Sequence, residues 1–161
     1  MSGTVSSIDP AAKTIEIDTD DGSEGVFQVL TKSNVSFDFN KDLRADATPA
    51  DSFTKKGDEV IVFYFGGSYL PRTAIALQDL GPGPLEKKSG TVVKFDKHGH
   101  LVTIMTPSGA KEPFHIEAKT VAETSVGAVP ASKFDPEKGD QIQVIATTAN
   151  GNNTALFIHA D

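Results

Sequence analysis

The strongest constraint on this chain is that it repeats itself. Ser2-Gly3-Thr4-Val5 recurs as Ser89-Gly90-Thr91-Val92, and the echo runs on at one constant offset: Asp9 with Asp96, Ile17 with Ile104, Gly22 with Gly109, Phe27 with Phe114 and Lys32 with Lys119. After a small difference in length it resumes, with Pro49-Ala50 against Pro130-Ala131, Phe53 against Phe134, Lys56-Gly57-Asp58 against Lys138-Gly139-Asp140 and Thr73-Ala74 against Thr154-Ala155. The unit is too long for a solenoid repeat, so the reading is two copies of one small domain. Residues 1–80 form the first copy, 81–88 a Gly/Pro linker and 89–161 the second. A feature shared by both copies answers to the fold; one confined to a single copy is a candidate for function.

Divided in two, a chain of 161 residues leaves each copy a small core, and a domain of that size buries only about 60% of its unfolded surface. The net charge of -7 disfavours a nucleic-acid partner, because a phosphate backbone is held by clustered Lys and Arg that displace its counterions. There is no Cys, which removes disulfides, thiolate nucleophiles and thiolate metal sites. No apolar run approaches the length of a membrane span. Met1 is followed at once by the repeat, so no signal peptide is read; in an exported protein this would be the mature part with an added Met.

The periodicity is that of strands. Val5 and Ile8 are three apart, which a bulge near Ser6-Ser7 reconciles with an inward position for both. Thr14-Ile15-Glu16-Ile17-Asp18 alternates, with Ile15 and Ile17 inward. Asp20-Asp21-Gly22 predicts a hairpin turn, and Val26 to Leu30 a third strand. Residues 31–57 form a longer connection with room for a helical turn, Gly57-Asp58 leads into a strand over 59–65, and 73–78 closes the unit. The second copy repeats the plan with Val92 and Phe95, Val102 and Ile104, Phe114 and Ile116, Ile142 and Val144, and Leu156 and Ile158 inward. Gly81-Pro82-Gly83-Pro84 is expected to interrupt any ladder. Three strands, a long connection and two further strands is the order of a small OB-like barrel, whose closure removes exposed edges. The predicted fold is all-β, two tandem OB-like barrels of about five strands each; the competing architecture is an open five-stranded sandwich.

The fourth strand of the first copy is apolar on both faces. Val60 and Val62 point inward, and Ile61, Phe63 and Phe65 point outward; the second copy has Ile145 there, with Phe157 on the neighbouring strand. A strand apolar on both faces is covered on both. The expectation is that these outer faces bury against each other and join the barrels. The alternatives are cover by Val35, Phe37 and Phe39 of the long connection, or a partner protein.

The recurring elements resemble a bacterial family of exported OB-like domains of unknown function. The residues that carry the resemblance are Ser2-Gly3-Thr4-Val5, Ile8-Asp9, Thr14-Ile15-Glu16-Ile17 and Gly57-Asp58-Glu59-Val60-Ile61-Val62, with Ser89-Gly90-Thr91-Val92, Phe95-Asp96, Leu101-Val102-Thr103-Ile104 and Gly139-Asp140-Gln141-Ile142-Gln143-Val144 in the second copy. The resemblance implies a periplasmic or secreted setting and supplies no catalytic residues. The layout also looks like that of small periplasmic copper-carrying OB barrels, which use Met, His and a capping Trp. This chain has Met105 but no Trp, so that likeness stops at the scaffold.

All four histidines, His98, His100, His115 and His159, lie in the second copy, where the first has Ala11, Lys13, Gln28 and Gln78. His98, His100 and His115 are the candidate ligands of a transition metal, the one cofactor considered, since imidazoles suit Cu, Ni or Zn when two or three converge. Scattered surface histidines are the competing reading. Asp18 to Glu24 clusters acids, but its register fails the EF-hand pattern. Neither a nucleophile elbow, a P-loop nor a dinucleotide fingerprint is present. Asp9, Asp58, Asp96 and Asp140 recur in both copies and are expected to cap backbone amides rather than to perform acid–base chemistry. The functional expectation is a non-enzymatic binding or scaffold module, exported in bacteria, a monomer or weak oligomer that takes a protein or small ligand. The alternatives are a periplasmic metal-binding protein using the second copy's histidines, and an oligosaccharide- or nucleic-acid-binding face.

Overall fold

A computed structural model describes residues 1–23, 25–29, 41–67 and 70–160. The chain divides into two compact units, Met1–Pro84 and Leu85–Asp161.

The first unit contains β1 (Ser2–Asp9), β2 (Thr14–Thr19), β3 (Val26–Val29), a single helical turn α1 (Lys41–Arg44), the two-residue β4 (Thr48–Pro49), β5 (Asp58–Gly67) and β6 (Leu70–Pro82). The strands lie in the order β3-β2-β1-β5-β6, and a parallel pairing of β3 with β6 closes the ring; β4 is added along β6. The second unit contains β7 (Glu86–Asp96), β8 (Leu101–Met105), β9 (Lys111–Thr124), β10 (Gly127–Pro130), β11 (Gln141–Ala149) and β12 (Asn152–Ala160). Its ring runs β9-β12-β11-β7-β8, closed by β8 on β9, with β10 added along β9. Each unit is therefore a closed barrel of five strands. In both, the third strand pairs in parallel with the fifth, the OB-like arrangement the strand order predicted.

The interiors follow the alternation except on the last strand, where Ala155 is inside and Leu156, expected inward, is not part of the core, because the register shifts between Ala155 and Phe157. Val5, Ile15, Ile17, Phe27, Val60, Val62, Ala74 and Leu77 fill the first barrel, and Val92, Val102, Ile104, Phe114, Val144 and Ile158 stand among those that fill the second. The expected bulge is present in both copies, as register shifts between Val5 and Ser7 and between Val92 and Lys94. It turns Ile8 and Phe95 back toward their cores. In each copy the three residues after Pro49 or Pro130 form one 3-10 turn, and the turn delivers Phe53 or Phe134 into the core.

The repeated Ser-Gly pair has a steric explanation. A Cβ on Gly3 would stand 2.4 Å from the Asp18 carbonyl oxygen, and one on Gly90 would stand 2.5 Å from that of Met105. The adjacent strand backbone passes where a side chain would begin, so only glycine lets the first strand seat against the second.

Two expectations are corrected. Gly81-Pro82 does not interrupt the ladder: Gly81 and Pro82 still pair with Glu59 and Asp58, and β7 begins at Glu86. Pro82 is tolerated because it stands in the terminal pair, where no further ladder N–H is required, and Gly81 takes a positive φ of 97° while its amide donates to Asp79 Oδ1 at 2.8 Å. The connection after the third strand is also not irregular in the second copy. β9 runs on to Thr124, leaves β8, and after a register shift between Ala155 and Phe157 pairs Val121, Ala122 and Glu123 with β12. The buried Thr120 holds this shift: its hydroxyl accepts the Glu117 amide at 2.9 Å and donates to the Ala155 carbonyl at 2.7 Å.

Replacing Gly90 by Ala forces backbone apart and should lower stability by about 1–3 kcal/mol, whereas Ser89→Ala beside it should change stability by no more than about 0.5 kcal/mol. Urea unfolding followed by far-UV circular dichroism measures both, and equal effects would refute the steric account.

Candidate functional site

The space inside each barrel is taken by apolar side chains, so hydrogen-bonding chemistry is carried by the turns and the outer strand faces. Three of the four repeated aspartates are occupied by the backbone. Asp9 Oδ1 accepts the amides of Ala11 and Ala12 at 2.9 Å each, Asp96 Oδ1 accepts that of Gly99 at 2.8 Å, and Asp140 Oδ2 accepts that of Glu137 at 2.8 Å. The Gly99 amide, with lesser help from Lys94 and His98, holds the Asp96 carboxyl below its ordinary value. A second repeated pair is Thr4 with Glu59, a 3.1 Å hydrogen bond between facing strands, matched by Gln141 donating to Thr91 at 2.8 Å. These shared polar groups serve the architecture.

The histidines are distributed differently. His98 and His100 lie exposed in the turn between β7 and β8. His100 adopts a positive φ of 51°, and its carbonyl accepts the Ile116 amide at 2.8 Å. Lys13 occupies the same place in the first barrel with φ 55°, its carbonyl accepting the Val29 amide at 2.8 Å. The left-handed conformation at this position belongs to the fold, and the imidazole does not cause it. His115 is exposed on β9, its Cα opposite those of Leu101 and Thr154. His159 Nδ1 stands 3.3 Å from Glu123 Oε2. The register thus lays the backbone of the His100 turn against β9, yet among the described residues no group of three or more His, Asp or Glu is placed to hold a metal ion.

Of the outward apolar residues, Ile61, Phe63, Ile145 and Phe157 are buried without belonging to either barrel's interior cluster, while Phe65 is 39% exposed. Val35, Phe37 and Phe39 lie outside the described residues.

Strand register assembles a feature that sequence spacing did not reveal. Thr14 faces Gln28, Gln28 faces Thr73 across the closing pair, and Thr73 faces Phe65. Their neighbours Ile15, Phe27 and Ala74 are inside the barrel, so this row crosses four strands on the outside. The equivalent row of the second barrel is Leu101, His115, Thr154 and Thr147. Alternation marks each of these residues as outward, but their adjacency depends on the parallel pairing of the third and fifth strands.

No protein-family model matches the chain, and no curated protein matches it. Among solved structures, one titled as the crystal structure of Ag(I)CusF is similar to it at 13% identity and a TM-score of 0.38, over 49% of this chain and all of that one. Among the described residues no helix is long and apolar enough to cross a membrane.

Two outcomes follow from the turn chemistry. The depressed Asp96 pKa stabilises the folded state at neutral pH, and this contribution is lost as pH falls below about 4 toward the folded-state pKa. Asp96→Asn should therefore be less stable than the parent at pH 7, with the gap narrowing below pH 4; a gap independent of pH would contradict the assignment. Removing the Cβ in His100→Gly should relieve backbone strain and raise stability by about 0.5 kcal/mol, the relief exceeding the extra unfolded-state entropy. Destabilisation in thermal melts would show that the imidazole itself holds the turn.

Proposed function

We propose that this chain is a non-enzymatic binding module, exported in bacteria, that holds its ligand on the outer faces of its barrels. The observation that carries this reading is the division of polar groups. Three of the four aspartates common to both copies, Asp9, Asp96 and Asp140, are taken up by backbone amides, while the side chains that differ between the copies are exposed on the third strand and its neighbouring turns. This is the face on which barrels of this architecture bind extended ligands. The resemblance of the Ser-Gly-Thr-Val and Gly-Asp elements to exported bacterial domains supports the periplasmic setting. The acidic chain favours a ligand without a phosphate backbone.

The test is amide-resolved NMR of the full chain titrated separately with Zn²⁺, Cu²⁺, neutral oligosaccharides and a single-stranded DNA oligonucleotide. Saturable shifts confined to the outer rows and turns for one of these, with the ligand recovered unchanged, are expected. Shifts at residues 97–100 and 115 on adding metal would identify His98, His100 and His115 as the contacts. Chemical conversion of an added ligand, or no saturable binding by any of them, would overturn the reading.

A further inference from the structure

Among the described residues Val26, Phe65, Leu70, Met105 and Val126 are the exposed large apolar ones, and three of these five fall on one corner of the first barrel. Leu70 is 71% exposed and pairs with Gly67 at the end of the β5–β6 hairpin; Phe65 is 39% exposed two residues earlier; Val26 is 47% exposed at the start of β3. The second barrel has Thr147 in place of Phe65 and Pro113 in place of Val26, so the fold does not demand this corner. It continues directly into the row of Thr73, Gln28 and Thr14, which offers hydroxyl and amide groups, and Glu16 lies opposite Val26 in the next row. Arg72 is turned elsewhere: its guanidinium donates to Ser23 Oγ at 3.2 Å and lies 5.6 Å from the centre of the Tyr64 ring.

We propose that this surface is a binding site for a neutral oligosaccharide, with the Phe65 ring against the C–H face of one sugar and Gln28, Thr73 and Glu16 hydrogen-bonding the hydroxyls of the next. The inference rests on the binding-module reading and names its site and ligand class. A pyranose is itself apolar on its ring faces and polar at its rim, which matches an exposed ring beside an amide, a hydroxyl and one carboxylate acceptor. Charge selects against the competitors. Among the described residues the row itself is uncharged and the row beside it adds the Glu16 carboxylate, so it offers a phosphate nothing to pair with. In residues 1–84 ten Asp and three Glu outnumber five Lys and two Arg, which repels an anionic lipid surface. The row runs across four strands, at a spacing of about 4.8 Å per strand, and so accommodates an extended chain of two or three sugar units.

The experiment is calorimetry and amide-resolved NMR of the full chain with cellotetraose, maltotetraose and chitotetraose. One of the three should bind and shift amides of β3, β5 and β6. Phe65→Ala should weaken it at least about tenfold, as loss of an aromatic anchor does; Gln28→Ala should weaken it less, and Phe65→Tyr should restore it. Lys133→Ala, exposed in the 3-10 turn of the second barrel, should leave it unchanged. Each variant's amide spectrum reports whether it is folded, and Gln28→Ala tests the site should Phe65→Ala fail to fold. Binding unaffected by both barrel-one changes, or none of the three sugars binding at millimolar concentration, would overturn the proposal. Failure here alongside saturable metal or oligonucleotide shifts on an outer face would leave the binding-module reading standing; failure of every ligand would remove both.

Discussion

Each barrel depends on one parallel pairing, third strand to fifth, which joins the start of the sheet to its end. The partners are Gln28 with Thr73 and Val29 with Ala74 in the first copy, and His115 with Thr154 and Ile116 with Ala155 in the second. Without it the third and fifth strands would be open edges with unpaired backbone groups, and the small apolar interior would face water on one side. The pairing is non-local, so chain entropy opposes it until the hairpins on either side are formed. The Ser-Gly close approach in the first strand, the adjoining bulge and the buried Phe after the 3-10 turn all bend or pack the sheet so that closure can occur.

Duplication makes the molecule its own control. Where both copies keep these residues, a structural reason is visible: Gly3 and Gly90 for the passing strand, Asp9 and Asp96 for turn amides, Phe53 and Phe134 for the packing of the core. Where they differ, the scaffold tolerates either residue. Lys13 and His100 share the same left-handed backbone with different side chains. Gln28 and His115, or Phe65 and Thr147, occupy matching places on the outer rows. Chemistry has been exchanged on a constant frame, which is how function varies among domains of one fold.

Most of the frame was legible in the residues. Alternation at Ile15 and Ile17 placed β2, a three-residue spacing at Val5 and Ile8 placed the bulge, and repeated Gly and Asp placed the turns. Two things were not legible. Gly81-Pro82 reads as a breaker, yet a strand can end on proline because its last pair lacks no hydrogen bond. The stretch after Ile116 reads as a connection because its outward positions are polar and its register shifts, and the Thr120 hydroxyl that repairs the shift has no signature in spacing. The candidate site was the less legible part. The histidines stand out by confinement to one copy, but no described group of three is placed for a metal. The Phe65–Gln28 row goes unnoticed because its members lie in three separate segments of the chain.

Sequence by itself determined that there are two like barrels, most of the side chains that point into each, and where the backbone must turn, because period-two burial and glycine or aspartate turn chemistry act over a few residues. Only the tertiary structure decided which outward side chains become neighbours. That choice is made by the register of the closing strands, and register is set by the packing of the whole barrel.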